Sequence, residues 1–127
     1  MVDVVNKALE AVKKAQESMY TGTMTVYEHK KVVDEKSHLT SFKDVAVLKD
    51  KPCKLSFESK QAAADATASK AISQTIKLFT SPDIRINTGS RITVTQNGVT
   101  TDYTNSGVPA VYATHQEIIL ELFERWA

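Results

Sequence analysis

His115-Gln116-Glu117 places an imidazole two residues from a carboxylate, the spacing that sets a ligand beside a general acid–base in zinc deaminases. That chemistry also needs a pair of cysteines downstream, and the chain has one cysteine in all, Cys53. His29, His38 and His115 stand singly, without metal-ligand spacing, so each is read as a surface or half-buried structural imidazole. Cys53 shares an alternating apolar register with Leu55 and Phe57, which assigns it to core filling rather than nucleophilic attack. The four glycines are isolated and form no phosphate-cradling loop, and acid pairs such as Asp34-Glu35 read as solvated charge. No catalytic residue, metal or cofactor is therefore expected, and the chain is not expected to be an enzyme.

The basic residues are the next candidates. Lys49, Lys51, Lys54 and Lys60 form the only local enrichment, diluted by Asp50 and Glu58. Edge lysines discourage sheet-to-sheet association, and that role suits them better than a polyanion contact. Sixteen Lys plus Arg against fifteen Asp plus Glu leave a net charge of +1. A dedicated nucleic-acid binder would concentrate an excess of cations, so that class is set aside as the first choice. A single cysteine excludes a disulfide scaffold and favours an intracellular origin. No apolar run is long enough to span a bilayer. Met1 to Lys7 lacks the basic-then-apolar order of a signal peptide, so cytoplasmic synthesis is expected.

The elements that would carry these residues fit one domain of 127 residues. Val5, Ala8, Leu9, Val12, Ala15 and Met19 recur at helical spacing behind a possible Asp3 cap, predicting a helix over residues 1–20 that Gly22 ends. Its narrow Ala- and Val-rich stripe suits a sheet edge or a neighbouring subunit. Fourteen threonines and abundant Val and Ile predict a mainly β remainder, residues 22–127. Met24 and Val26 alternate with Thr23, Thr25 and Tyr27; Lys30 to Ser41 is a loop or solvated strand pair; Val45 and Val47 alternate again. Lys49-Asp50-Lys51-Pro52 interrupts that run, and a further strand starts after the proline. Gln61 to Ala71 is Ala-rich and reads as a short helix or mobile excursion.

Ile72 to Leu78 alternates, Pro82-Asp83 turns the chain, and Ile84 and Ile86 suggest a short strand ending at Gly89. Asn97-Gly98 between two alternating runs signals a type I′ hairpin. Its register sets Gln96 against Val99, Val94 against Thr101 and Ile92 against Tyr103. Ile92, Val94 and Tyr103 then share the core face, while Thr93, Asp102, Thr95 and Thr100 share the wet one. Arg91, Thr93, Thr95, Thr100 and Thr104 make a polar sheet face that either meets solvent or lines a subunit interface. His115 to Trp126 fits both periods, and its β-rich surroundings favour a strand through Leu122.

Five segments in order resemble a known group. They are Lys51-Pro52-Cys53-Lys54-Leu55-Ser56-Phe57, Ile76-Lys77-Leu78-Phe79, Ser81-Pro82-Asp83-Ile84-Arg85-Ile86, Gly89-Ser90-Arg91-Ile92-Thr93-Val94 and Tyr112-Ala113-Thr114-His115-Gln116-Glu117. Together they resemble the head-closure, or stopper, proteins of siphophages and of PBSX-like defective prophages of Bacillus. The likeness covers residues 51–117, about half the chain, and does not reach the helix or the Lys30 to Ser41 segment. It implies a small antiparallel β-barrel that assembles into a ring between the capsid portal or adaptor and the tail. Such a ring helps to retain double-stranded DNA that passes without sequence readout. It also implies assembly in the bacterial cytoplasm, residence in the neck of a phage or phage-like particle, and in some members a segment that closes the channel. The non-strand excursions Lys49 to Pro52 and Gln61 to Ala71 are the candidates for that segment. Val5, Leu9 and Val12 of the helix, and Phe79 pointing opposite to Ile76 and Leu78, are the candidate subunit contacts. The helix could equally pack on its own barrel. The alternative from another class is an OB-type barrel binding single-stranded nucleic acid, disfavoured because aromatics do not interleave with the lysines.

Overall fold

The structure, a computed structural model, describes residues 2–61 and 72–126. Helix α1 (Val2–Ser18) leads into strands β1 (Gly22–Val33), β2 (Thr40–Gln61), β3 (Ile72–Thr80), β4 (Arg91–Gln96), β5 (Val99–Asn105), β6 (Ala110–Val111) and β7 (Gln116–Leu122). The strands hydrogen-bond in the order β3-β2-β1-β4-β5-β7-β6, and β3 also pairs with β7. That last pairing closes β1 to β5 and β7 into a ring, with β6 a short appendage on β7. Every pairing is antiparallel. The chain is thus a small antiparallel β-barrel with one N-terminal helix outside it: composition and periodicity predict the mainly β chain and the helix, and the resemblance implies the barrel.

Alternation along each strand sends one set of side chains inward. Met24, Val26, Cys53, Leu55, Leu78, Ile86, Ile92, Val94, Tyr103, Ile118 and Leu120 form the core, with Leu48, Ile76 and Ile84 packed against it. Burial deprives the Cys53 thiolate of water and pushes its pKa up to about 12, so it is packing rather than chemistry. The β4–β5 hairpin has the expected turn, with Asn97 at φ 53° and Gly98 at φ 77°, and the expected register throughout. On its outer face Thr93 Oγ1 donates to Asp102 Oδ1 at 2.6 Å, and the Thr95 and Thr100 hydroxyls pair at 2.8 Å.

Where β1 begins, the ladder along β2 runs out of backbone. Gly22 pairs with Cys53, and the chain then departs towards α1, leaving Leu55 facing no strand on that side. The Gln96 side chain completes the ladder: Leu55 N–H donates to its Oε1 at 2.8 Å, and its Nε2 donates to Leu55 O at 3.3 Å. The junction is tight around its glycine. A Cβ on Gly22 would lie 3.1 Å from Cys53 O, 3.2 Å from Gln96 Oε1 and 3.3 Å from Thr95 O.

Some sequence expectations need correction. Lys49 to Pro52 is no excursion but the middle of β2. Asp50 adopts φ 50°, and the β1–β2 register slips between Met24 and Tyr27, so bulges absorb the surplus residues and the strand continues. The slip also changes faces, so that Leu48 and not Val47 packs on the core. Pro52 is tolerated because the β3 ladder stops beside it at Cys53, and its carbonyl accepts from Thr80 Oγ1 at 2.9 Å. Ile84 to Ile86 is irregular rather than a strand. Its backbone is served by a side chain, the buried Gln116, whose Nε2 donates to Ser81 O at 2.7 Å and also to Ile84 O. Lys60 and Gln61 belong to β2; the rest of the Ala-rich excursion, 62–71, lies outside the described residues.

Two ladders overrun the barrel. Pairing of β1 with β4 ends at Tyr27, yet β1 and β2 stay paired out to Val33 and Thr40. Lys30 to Ser41 is therefore a solvated two-stranded arm closed by a short turn. At the other end of β2, pairing with β3 continues from Phe57–Ile76 to Gln61–Ile72, beyond the last β3–β7 pair. Phe57 keeps the inward register but sits past the barrel rim, and is 51% exposed.

Candidate interaction surfaces

Helix α1 touches the barrel with one edge only. Lys13 Nζ forms an ion pair with Asp83 in the β3–β4 loop. Hydrogen bonding and charge attraction from Lys13 hold the Asp83 carboxyl below its ordinary pKa, and hydrogen bonding to Asp83 raises that of Lys13. The apolar stripe points elsewhere: Val5 is 58% exposed, Leu9 39% and Val12 48%. Helices this short draw their stability mainly from packing of an amphipathic face, and here that face has no cover among the described residues.

Beneath the C-terminal turn of α1 lies a socket of about 310 Å³, lined by Gln16, Met19, Tyr20, Lys54, Ser56, Phe79 and His115. Phe79 reaches it because β3 alternates, so that the residue after the buried Leu78 faces outward. His115 stacks on Tyr112 with ring centroids 4.8 Å apart, lies 6.1 Å from the Phe79 ring, and meets Glu117 through Nε2 at 3.0 Å. Glu117 Oε1 is also 3.9 Å from Lys77 Nζ. The His-x-Glu spacing thus serves an outward-facing strand, where residues two apart share one side. Gln16 Oε1 is buried in the socket wall with no hydrogen-bond partner among the described residues.

A second surface joins the foot of the β1–β2 arm to the C-terminal segment. The His29 ring stacks between Phe42 at 4.9 Å and Trp126 at 5.0 Å, and Phe123 meets Trp126 edge-on. Arg91 lies 4.3 Å from the centroid of Tyr27 and donates to Asp44 Oδ2 at 3.0 Å. Asp44 also faces His29 Nδ1 at 3.3 Å. The cation among these rings, Arg91, is already paired with Asp44, which does not favour a base-stacking track for a polyanion.

The four residues singled out from sequence are therefore all outward-facing, but in two places. Val5, Leu9 and Val12 lie along the free face of α1, and Phe79 lies in the socket at its far end. Sequence reasoning missed Tyr20, Lys54, Ser56 and His115 as neighbours of Phe79. They come from three separate stretches of chain, which the pairing of β3 with β2 on one side and with β7 on the other brings together.

No protein-family model matches this chain, and no curated protein matches it significantly. Among solved structures it is similar to the phage-like element PBSX protein xkdH from Bacillus subtilis, with a TM-score of 0.48 and 10% identity. That superposition covers 79% of this chain and 91% of the other.

Proposed function

We propose that this protein is a structural head–tail connector subunit of a phage or phage-like particle. In this reading copies form a ring that joins the capsid portal or adaptor to the tail and helps to retain DNA. It acts as a structural part, without catalysis or cofactor. The observation that carries the reading is a closed barrel whose recognition features all lie outside it: an amphipathic helix with an uncovered apolar stripe, and two strand pairs that overrun the barrel. A closed barrel has no sheet edge of its own, so edge-to-edge strand pairing is closed to it and the overrunning elements offer contact instead. The ordered segments over residues 51–117 support the same reading. Near-neutral charge suits a passage for DNA that must not grip it.

The test is assembly. Wild-type protein should sediment as a closed oligomer, or be recruited to particles bearing portal and adaptor, and Leu9→Asp should abolish this while leaving circular dichroism unchanged. A folded Leu9→Asp variant that still assembles would remove α1 from the interface. A monomer that binds single-stranded oligonucleotide with micromolar, salt-dependent affinity would replace the reading with the OB-type alternative.

A further inference from the structure

We propose that the C-terminal segment, residues 123–126, is a strap that holds the β1–β2 arm against the barrel, so that arm and strap dock and release together. The device goes beyond the connector reading and belongs to a single copy of the chain.

The arm needs such a tie. Pairing of β1 with β4 stops at Tyr27, and β2 pairs with β3 only from Cys53 onward. From Glu28 to Val33 and from Thr40 to Val45 the two strands therefore pair only with each other among the described residues. A two-stranded ribbon is marginal in water unless something packs on its face. At the root of this one the register slips twice between Met24 and Tyr27, and such bulges bend a strand and interrupt its bonding. Side chains must supply what a third strand would.

The strap supplies them on one face. His29 pairs with Asp44, and Phe42 stands two residues from Asp44 along β2, so the three side chains share a side of the ribbon. The Trp126 ring lies 5.0 Å from that of His29 and within 17° of parallel, and Phe42 lies 4.9 Å away at 11°. Phe123 meets Trp126 edge-on at 5.0 Å, and its own N–H donates to Asp102 O at 3.0 Å just past the end of β7. The arm is thus linked to β5 through two rings of the strap.

Arg91 makes a second link across the same gap. One guanidinium nitrogen donates to Asp44 Oδ2 at 3.0 Å, while its central carbon lies 4.3 Å from the Tyr27 ring centroid and 5.9 Å from that of Phe123. A planar guanidinium pairs at its edge and stacks on its face at once, which an ammonium cannot do. Asn87 Nδ2 donates to Glu28 Oε2 at 3.0 Å and steadies the base of the arm independently of the strap. Because both links join arm to strap, neither segment leaves without stripping contacts from the other. Coupling of this kind is reciprocal.

The test reads each segment while the other is altered, in the full chain at one pH. Trp126→Ala removes the ring on His29 and the edge contact with Phe123. Exchange of the arm amides should then rise about tenfold, while β4–β5 amides keep their wild-type rates. In the other direction, Phe42→Ala should shift the emission of Trp126, the one tryptophan of the chain, to the red and raise its quenching by acrylamide. His29→Ala should release both segments, and His29→Phe, which restores a ring between Phe42 and Trp126, should hold both. Leu39→Ala, at the exposed tip of the arm, should leave the emission unchanged. Arm exchange that rises no more than β4–β5 exchange in Trp126→Ala, or Trp126 emission unmoved in Phe42→Ala, would overturn the strap. Neither readout depends on assembly, so either failure leaves the connector reading standing.

Discussion

Replacing Gln96 by Ala should cost the barrel about 2 kcal/mol, although the residue is polar, half-buried and part of no active site. Leu55 N–H and C=O both face the side where β1 has ended, and the Gln96 amide supplies their partners at 2.8 and 3.3 Å. Each hydrogen bond contributes about 1 kcal/mol net, and removing the amide removes two. Water reaching the half-exposed site keeps the loss near that sum rather than at the full penalty for buried, unpaired groups. For a chain of this size the loss should lower Tm by roughly 6–10 °C. Urea unfolding followed by circular dichroism is the assay, with an unchanged slope and a shifted midpoint. Thr100→Ala provides the control: it breaks one exposed hydroxyl pair and should cost under about 0.5 kcal/mol. If Gln96→Ala is no more destabilised than Thr100→Ala, the side chain is not completing the ladder and the account of the β1 junction is wrong.

Other outcomes follow from neighbouring features. Gly22→Ala should destabilise by about 1–3 kcal/mol in the same assay, because its Cβ would press on two backbone carbonyls that cannot swing away. Gly98→Val should cost at least about 1 kcal/mol through backbone strain alone, since φ is 77° and the space around it is open. Cys53 should resist thiol reagents at pH 8 in the native protein and react fully in denaturant; fast native labelling would contradict its place in the core. The Lys13–Asp83 pair sets a pH window for docking of α1. Asp83 titrates below its ordinary 3.8, so its contribution is complete above that value and is lost as pH falls through the lowered one. Lys13 titrates above 10.5, so its contribution is complete below that value and is lost as pH rises through the raised one. Protection of α1 amides, exchange taken relative to the intrinsic rate at each pH, should fall at both extremes, and Asp83→Asn should flatten that profile.

Local chemistry explains what was legible from the chain alone. Asn97-Gly98 admits φ > 0 at both turn positions, and a two-residue turn leaves one register, so every pair from Gln96–Val99 to Ile92–Tyr103 could be written down in advance. The apolar stripe of α1 and the outward aim of Phe79 followed from periods of 3.6 and 2 in the same way, whereas whether that stripe packs on its own barrel did not. The β3 to β7 pairing was not legible. The two strands lie some 40 residues apart, and His115 to Trp126 satisfies both periods until Ile76, Leu78 and Thr80 claim it as a strand. Nor was the continuity of β2. Lys49 to Pro52 carries the residues of a break, and only the bulged pairing with β1 carries the strand across it.

The socket lies furthest from the sequence. Phe79, Lys54, Tyr20 and His115 have no common period, because a period describes one element and this surface is made where several meet. Sequence by itself determined the facing of side chains within each regular run and the Asn97-Gly98 turn, since these depend on neighbours two to four residues away, but not the change of face at the β2 bulge. Tertiary structure alone decided which outward faces adjoin, because that depends on closure of the ring. Closure is won by burying Leu78, Ile118 and Leu120 together, residues that no local pattern connects.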